Sequence, residues 1–97
     1  MINHYIIRGV VQGVCYRAST QDKAIELGLQ GWVKNRSDGS VEALASGDKT
    51  QLDALESWLH IGPTYAKVSS VEVRELTSSD PLSASREDLQ PGFHIAH

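Results

Sequence analysis

The chain has 97 residues, 40% of them hydrophobic, with nine basic and 12 acidic side chains and a net charge of −3 when histidine is neutral. That is enough apolar content for one domain packed in about two layers and too much for a disordered chain. The acidic balance excludes a general nucleic-acid binder, whose affinity rests on a basic face, and no apolar run reaches the roughly 18 residues of a membrane helix. A lone cysteine, Cys15, leaves no partner for an intrachain disulfide, and the start MINHYIIRGV lacks a secretory pattern. A cytoplasmic, monomeric protein with one domain over residues 1–97 is expected.

The first strand is expected over His4–Gly9, where Tyr5, Ile6 and Ile7 are strand-prone types. A short glycine-broken loop, Val10 to Tyr16, leads to a helix over about Arg17–Leu27. Thr20, Ala24 and Leu27 share one inward face by their spacing, and Gly28 stands where a left-handed cap is wanted. Gly31–Asn35 reads as a second strand, Ser37-Asp38-Gly39 as a hairpin turn, and Ser40–Ala45 as a third strand with Val41, Ala43 and Ala45 on one face. Asp48 with Gln51 three residues on gives a capping box for a second helix, whose buried stripe is Leu52, Leu55 and Leu59. Gly62-Pro63 ends it. Val68–Leu76 is a fourth strand with Val71 and Val73 on one face. Ser78–Pro91 is polar and reads as a long loop, and Phe93 and Ile95 suggest a short final strand. The order βαββαβ plus a tail strand is the split βαβ, ferredoxin-like α+β pattern: an antiparallel sheet with two helices on one face.

Chemistry points to the loop before the first helix. Chain entering a helix leaves backbone N–H groups without internal partners, and with the helix dipole these form an anion site. Gly13 lets the backbone approach an oxyanion closely. Arg17 adds a planar guanidinium that grips two phosphate oxygens. In a split βαβ unit the first two strands run parallel with the third between them, so Arg17 and Asn35 lie at one edge of the sheet, on the order of 10 Å apart. An arginine side chain, a phosphoryl group and a water fill such a gap. From spacing alone, Asn35 reads first as a turn residue opening the Asn-Arg-Ser-Asp-Gly hairpin.

Two ordered motifs carry a resemblance. One is Ile7-x-Gly9-x-Val11-Gln12-Gly13-Val14-x-Tyr16-Arg17; the other is Gly31-Trp32-Val33-Lys34-Asn35, followed by Gly39-x-Val41 and Gly47. With Gly62-Pro63, Ala66-x-Val68 and Gly92-Phe93 they resemble the acylphosphatase family, over about residues 4–76 and the tail. The resemblance implies a hydrolase that cleaves acyl phosphates to carboxylate and inorganic phosphate, by direct water attack on phosphorus and without metal, cofactor or covalent intermediate. It assigns the phosphate cradle to Arg17 and the main chain of Gln12, Gly13, Val14, Cys15 and Tyr16, and the attacking water to Asn35. It also implies that inorganic phosphate is both product and competitive inhibitor. Tyr16 stands where the family most often has Phe, and its hydroxyl then needs a hydrogen-bond partner.

Other candidates are weaker. Cys15 invites a thiol nucleophile, but the Cys-x5-Arg spacing of phosphocysteine enzymes is absent, and it reads as a bystander. His4, His60, His94 and His97 show no ligand spacing and are expected at surface or tail positions. Glu26, Glu42, Glu56 and Glu72 read as solvated. Lys34 and Arg36 either raise the potential at the proposed edge or are ordinary hairpin charges. The alternative function is a non-catalytic ferredoxin-like domain that binds carbamoyl phosphate or another phosphorylated ligand. An RNA-binding sheet of this fold would need exposed stacking aromatics, and no such motif is present.

Overall fold

The computed structural model describes residues 1–76 and 92–96. The loop expected over Ser78–Pro91 and the tail position of His97 lie outside them. The elements run β1 (Ile2–Val10), α1 (Tyr16–Glu26), β2 (Gln30–Asn35), β3 (Val41–Ser46), α2 (Lys49–Leu59), β4 (Lys67–Leu76) and β5 (Phe93–Ile95). Strand order in the sheet is β4-β1-β3-β2-β5. β3 pairs antiparallel with both β1 and β2, and β4 pairs antiparallel with the outer side of β1. β5 departs from the expected antiparallel sheet. The chain re-enters beside the start of β2, with Phe93 opposite Gly31, and therefore runs parallel to it.

Period-2 alternation divides the sheet into two faces. Tyr5 and Ile7 of β1, Val33 of β2, Val41, Ala43 and Ala45 of β3 and Phe93 of β5 form one core with Tyr16 and Ala24 of α1 and Leu52, Leu55 and Leu59 of α2. Both helices thus cover the same face. The opposite face carries a smaller cluster of Ile2, Leu44 and Leu76, with Trp32 packed against it. Ile2 is buried there in register with Ser46 and Leu76, which is why β1 starts earlier than its strand-prone run suggests.

α2 opens as its sequence requires. Asp48 accepts from the Gln51 N–H at 2.8 Å, and the Gln51 side chain accepts from the Asp48 N–H at 2.8 Å. Gln51 also donates to the Leu27 carbonyl at 2.8 Å, which ties the start of α2 to the end of α1. Such a cap contributes about 1 kcal/mol. On β4, Val71 packs against the core but Val73, two residues on, is 39% exposed. β4 is an edge strand, so only part of its inward row lies beneath a helix.

The two positions set up a stability test. Leu55 is fully buried, and Leu55→Ala should cost about 3 kcal/mol through lost burial and the cavity left behind. Val73→Ala should stay within about 0.5 kcal/mol. Urea denaturation of both variants checks this; comparable losses would mean that Val73 is covered after all.

Candidate active site

β1 runs into the loop through Val11, which is buried and anchors the turn. Gly13 then adopts φ +75° and Cys15 φ +63°, ψ +22°. The second is a left-handed conformation at a non-glycine residue, which costs an L-amino acid roughly 1–2 kcal/mol. These two turns reverse the chain into α1. Among the described residues, no acceptor takes a hydrogen bond from the N–H groups of Gly13, Val14 or Cys15. Tyr16, Arg17 and Ala18 add the unpaired donors of a helical first turn. Cys15 gives no side-chain cap, and the first turn holds no acidic residue. A position where a carboxylate would normally be favourable is thus left open to an anion from outside.

A cavity of about 390 Å³ opens at this turn. Gly13, Cys15, Tyr16 and Arg17 line it from the loop and α1, and Asn35 lines it from the end of β2. Val11, Ala18 and Ile95 supply apolar wall. The volume suits a small polar ligand with a modest apolar part. Gln12 and Val14 stand apart from the lining. Val14 packs against the core, while the Gln12 side chain turns away to the β2–β3 hairpin and donates to the carbonyls of Arg36 at 2.8 Å and Ser40 at 2.9 Å.

Charge at the site is selective. Arg8 and Arg36 both lie against Asp38, at 3.5 and 4.0 Å. Arg74 is engaged as well. Lys34 sits 3.6 Å from Glu42 and 5.2 Å above the Trp32 ring. Arg17 makes no ion pair among the described residues. Its guanidinium is free for a ligand, whereas Lys34 and Arg36 are ordinary paired charges outside the cavity. The Asn35 amide is equally uncommitted. Its Oδ1 is buried without a partner among the described residues, and rotation about its broad terminal torsion can offer either end of the amide to the cavity. Among the described residues, no three His, Cys, Asp or Glu side chains gather as a metal site.

The Tyr16 hydroxyl has a definite partner. It donates to the Leu59 carbonyl at 2.7 Å, one of the acceptors left over at the end of α2. Its ring lies 5.7 Å from that of Trp58, and burial pushes its phenol well above the ordinary range. Gly62 packs directly on it: a Cβ there would fall 2.8 Å from Tyr16 Cε2, in a backbone with φ +68°. The residue preceding Arg17 is therefore docked onto the end of α2.

Two sequence expectations fail on the far face of the sheet. His4 and Glu42 are neither surface nor solvated; their side chains are only 12% and 15% exposed and meet at 2.6 Å. Their cross-strand neighbours are apolar: His4 stands opposite Leu44 of the second cluster and Glu42 opposite the buried Ile6, on a face whose far end, at Arg8 and Val10, is exposed. Ile95 was not among the expected site residues. Its strand was legible in the Phe93-x-Ile95 alternation, but its place beside Asn35 depends on the parallel pairing with β2. That pairing is held by Ala96 N–H donating to the Val33 carbonyl at 2.8 Å and by Gln21 of α1 donating to the Phe93 carbonyl at 2.9 Å.

Comparison with known proteins gives one consistent result. A sequence model of the acylphosphatase family matches residues 3–89. The chain is 49% identical over 83 residues to an acylphosphatase of Marinobacter nauticus, covering 86% of this chain and 90% of that protein. It is 53% identical over 77 residues to one from an Acidovorax species, covering 79% of each. The crystal structure of acylphosphatase from Bacillus subtilis superimposes with a TM-score of 0.84 at 34% identity, over all of both chains.

The geometry generates two expectations. Tyr16→Phe leaves the Leu59 carbonyl without its partner and should cost about 1 kcal/mol in thermal or urea unfolding, while turnover changes little because the ring is retained. Substantial loss of turnover in a folded variant would give the hydroxyl a role in the chemistry. Asp38 accepts from the hydroxyl and the N–H of Ser40, and mainly these bonds lower its carboxyl from 3.8 to about 2. Its support of the hairpin is thus complete above about pH 4 and is lost as pH falls through about 2. The Asp38 carboxyl carbon and the Ser40 amide should titrate together in that low window by NMR. A midpoint near 4 would mean that the Ser40 bonds do not persist in solution.

Proposed function

The chain belongs to the acylphosphatase family and hydrolyses acyl phosphates to carboxylate and inorganic phosphate; from that premise we propose that Arg17 and the loop amides hold the phosphoryl group while Asn35 orients the attacking water. One observation carries this reading. Asn35, with an amide bonded to nothing among the described residues, and Arg17, with no counter-ion there, line the same cavity beside a row of open N–H donors. Hydrogen-bonding capacity and charge that would be satisfied internally elsewhere are left available here.

The reaction needs little more. Water adds to phosphorus as the bond from phosphorus to the acyl oxygen breaks, and the carboxylate departs with the electron pair. A carboxylate is a stable leaving group and needs no general acid. The water proton passes to a phosphoryl oxygen of the substrate, so no ionising base is required. Arg17 and the N–H groups of residues 13–18 balance charge on the phosphoryl oxygens, where preorganised donors are most effective. Asn35 holds the water by its amide without changing protonation. Position and electrostatics account for the step without a metal, a cofactor or a covalent intermediate. Cys15 contributes its main chain, and Gly13, Tyr16 and Val14 help shape the same turn.

The wider reading is of one catalytic domain over residues 1–97, monomeric and cytoplasmic, with inorganic phosphate as product and competitive inhibitor. For the location, the support is the lone free cysteine, which fits a reducing compartment.

Arg17 and Asn35 are separable by experiment on benzoyl phosphate. Arg17→Ala should weaken inhibition by inorganic phosphate and cut kcat/KM by about 10³-fold, with little rescue by lysine, which lacks the planar fork. Asn35→Ala should lower kcat about a hundredfold, equivalent to about 3 kcal/mol, with phosphate inhibition nearly unchanged. Circular dichroism confirms folding of each variant. Normal turnover at saturation by Asn35→Ala, with phosphate inhibition lost as badly as in the arginine variant, would end the water-orienting role.

A further inference from the structure

The N–H donors and Arg17 that meet the phosphoryl group lie after β1, and Asn35 lies at the end of β2. β3 separates the two strands, so no backbone ladder joins them directly. In-line attack nevertheless demands that water and phosphoryl group be held in fixed relation, since a displacement of about 1 Å costs on the order of a hundredfold in rate.

Gln12 spans that gap. Its Nε2 donates to the Arg36 carbonyl at 2.8 Å and to the Ser40 carbonyl at 2.9 Å. The same two residues close the hairpin, Arg36 N–H donating to the Ser40 carbonyl at 2.8 Å. Both N–H bonds of one amide nitrogen are therefore spent on the two ends of a single turn, and the first end is the residue next to Asn35. Glutamine fits this place by chemistry: it offers two donors on one neutral nitrogen at the needed reach. Glutamate would set a charge against two carbonyl oxygens, and methionine would bring no donor. We propose that Gln12 is a positioning residue: its side chain clamps the β2–β3 hairpin to the phosphate loop and so fixes Asn35 against the bound phosphoryl group.

The proposal rests on the water-orienting reading of Asn35, and a double-mutant cycle separates the two. Turnover of benzoyl phosphate at saturation is measured for the unchanged chain, Gln12→Ala, Asn35→Ala and the double variant, with inhibition by inorganic phosphate measured alongside. Gln12→Ala should lower kcat about tenfold and leave phosphate inhibition within about twofold, because the loop and Arg17 are intact. In the Asn35→Ala background the same substitution should change kcat by less than about twofold, because there is no longer an oriented water to misplace. A residue that merely supported the fold would lower kcat by the same factor in both backgrounds, and that result, with Asn35→Ala itself defective, overturns the role of Gln12 alone. Full turnover by Asn35→Ala overturns the reading of Asn35 and this role with it. Gln12→Met, similar in length and without donors, carries the same cycle if the alanine variant does not fold.

Discussion

Because β3 pairs antiparallel with both β1 and β2, those two strands point the same way and finish at one edge of the sheet. The loop that opens α1 leaves one of these ends, and Asn35 closes the other. Each group at the site takes its place from this arrangement. The row of N–H donors lies at the start of α1 because α1 follows β1 directly. Asn35 meets the same cavity because β2 runs parallel to β1. The hairpin to which Gln12 bonds is the link from β2 to β3. Ile95 joins the cavity because β5 repeats the direction of β2 on its outer side. Reversing one pairing would place Arg17 and Asn35 at opposite ends of the molecule.

Satisfaction and its withholding are distributed unevenly. The helices are tied to one another by polar contacts that use up spare capacity: Gln51 to the Leu27 carbonyl, and the Tyr16 hydroxyl to the Leu59 carbonyl. Asp38 draws in Arg8 and Arg36 and is itself held by Ser40. At the loop before α1 the same accounting is left open among the described residues, with unpaired N–H groups, an arginine without a counter-ion and an asparagine amide without a partner. The left-handed Cys15 adds backbone strain. Unpaired donors and strain are costs to folding. Here they lie together in one cavity, where an anionic ligand would offset them, and the buried Tyr16, next to Arg17 in the chain, holds the first turn against relaxation.

Short-range physics made much of the protein legible in its sequence. The capping box of α2, its leucine stripe, the hairpin turn and the glycine-broken loop before α1 depend on residues a few positions apart, so local spacing determined them. The identities of Arg17 and Asn35 as candidates were likewise carried by motif. Other features needed the folded chain, because their partners are far away in sequence. His4 meets Glu42 at a separation of 38 residues, and Gln21 holds the β5 backbone at a separation of 72. Gln12, expected to serve through its main chain, reaches the hairpin carbonyl of Arg36 at a separation of 24. Alternation along a strand tells which residues share a face. It does not tell how far that face is covered, and so His4 and Glu42 were assigned to water although both are mostly buried, opposite Leu44 and Ile6. The sequence thus determined the elements and the chemical groups available for catalysis, since these follow from local backbone preference and residue type. Only the tertiary structure decided which groups meet and which are left unpaired, because that depends on how the strands are ordered in the sheet.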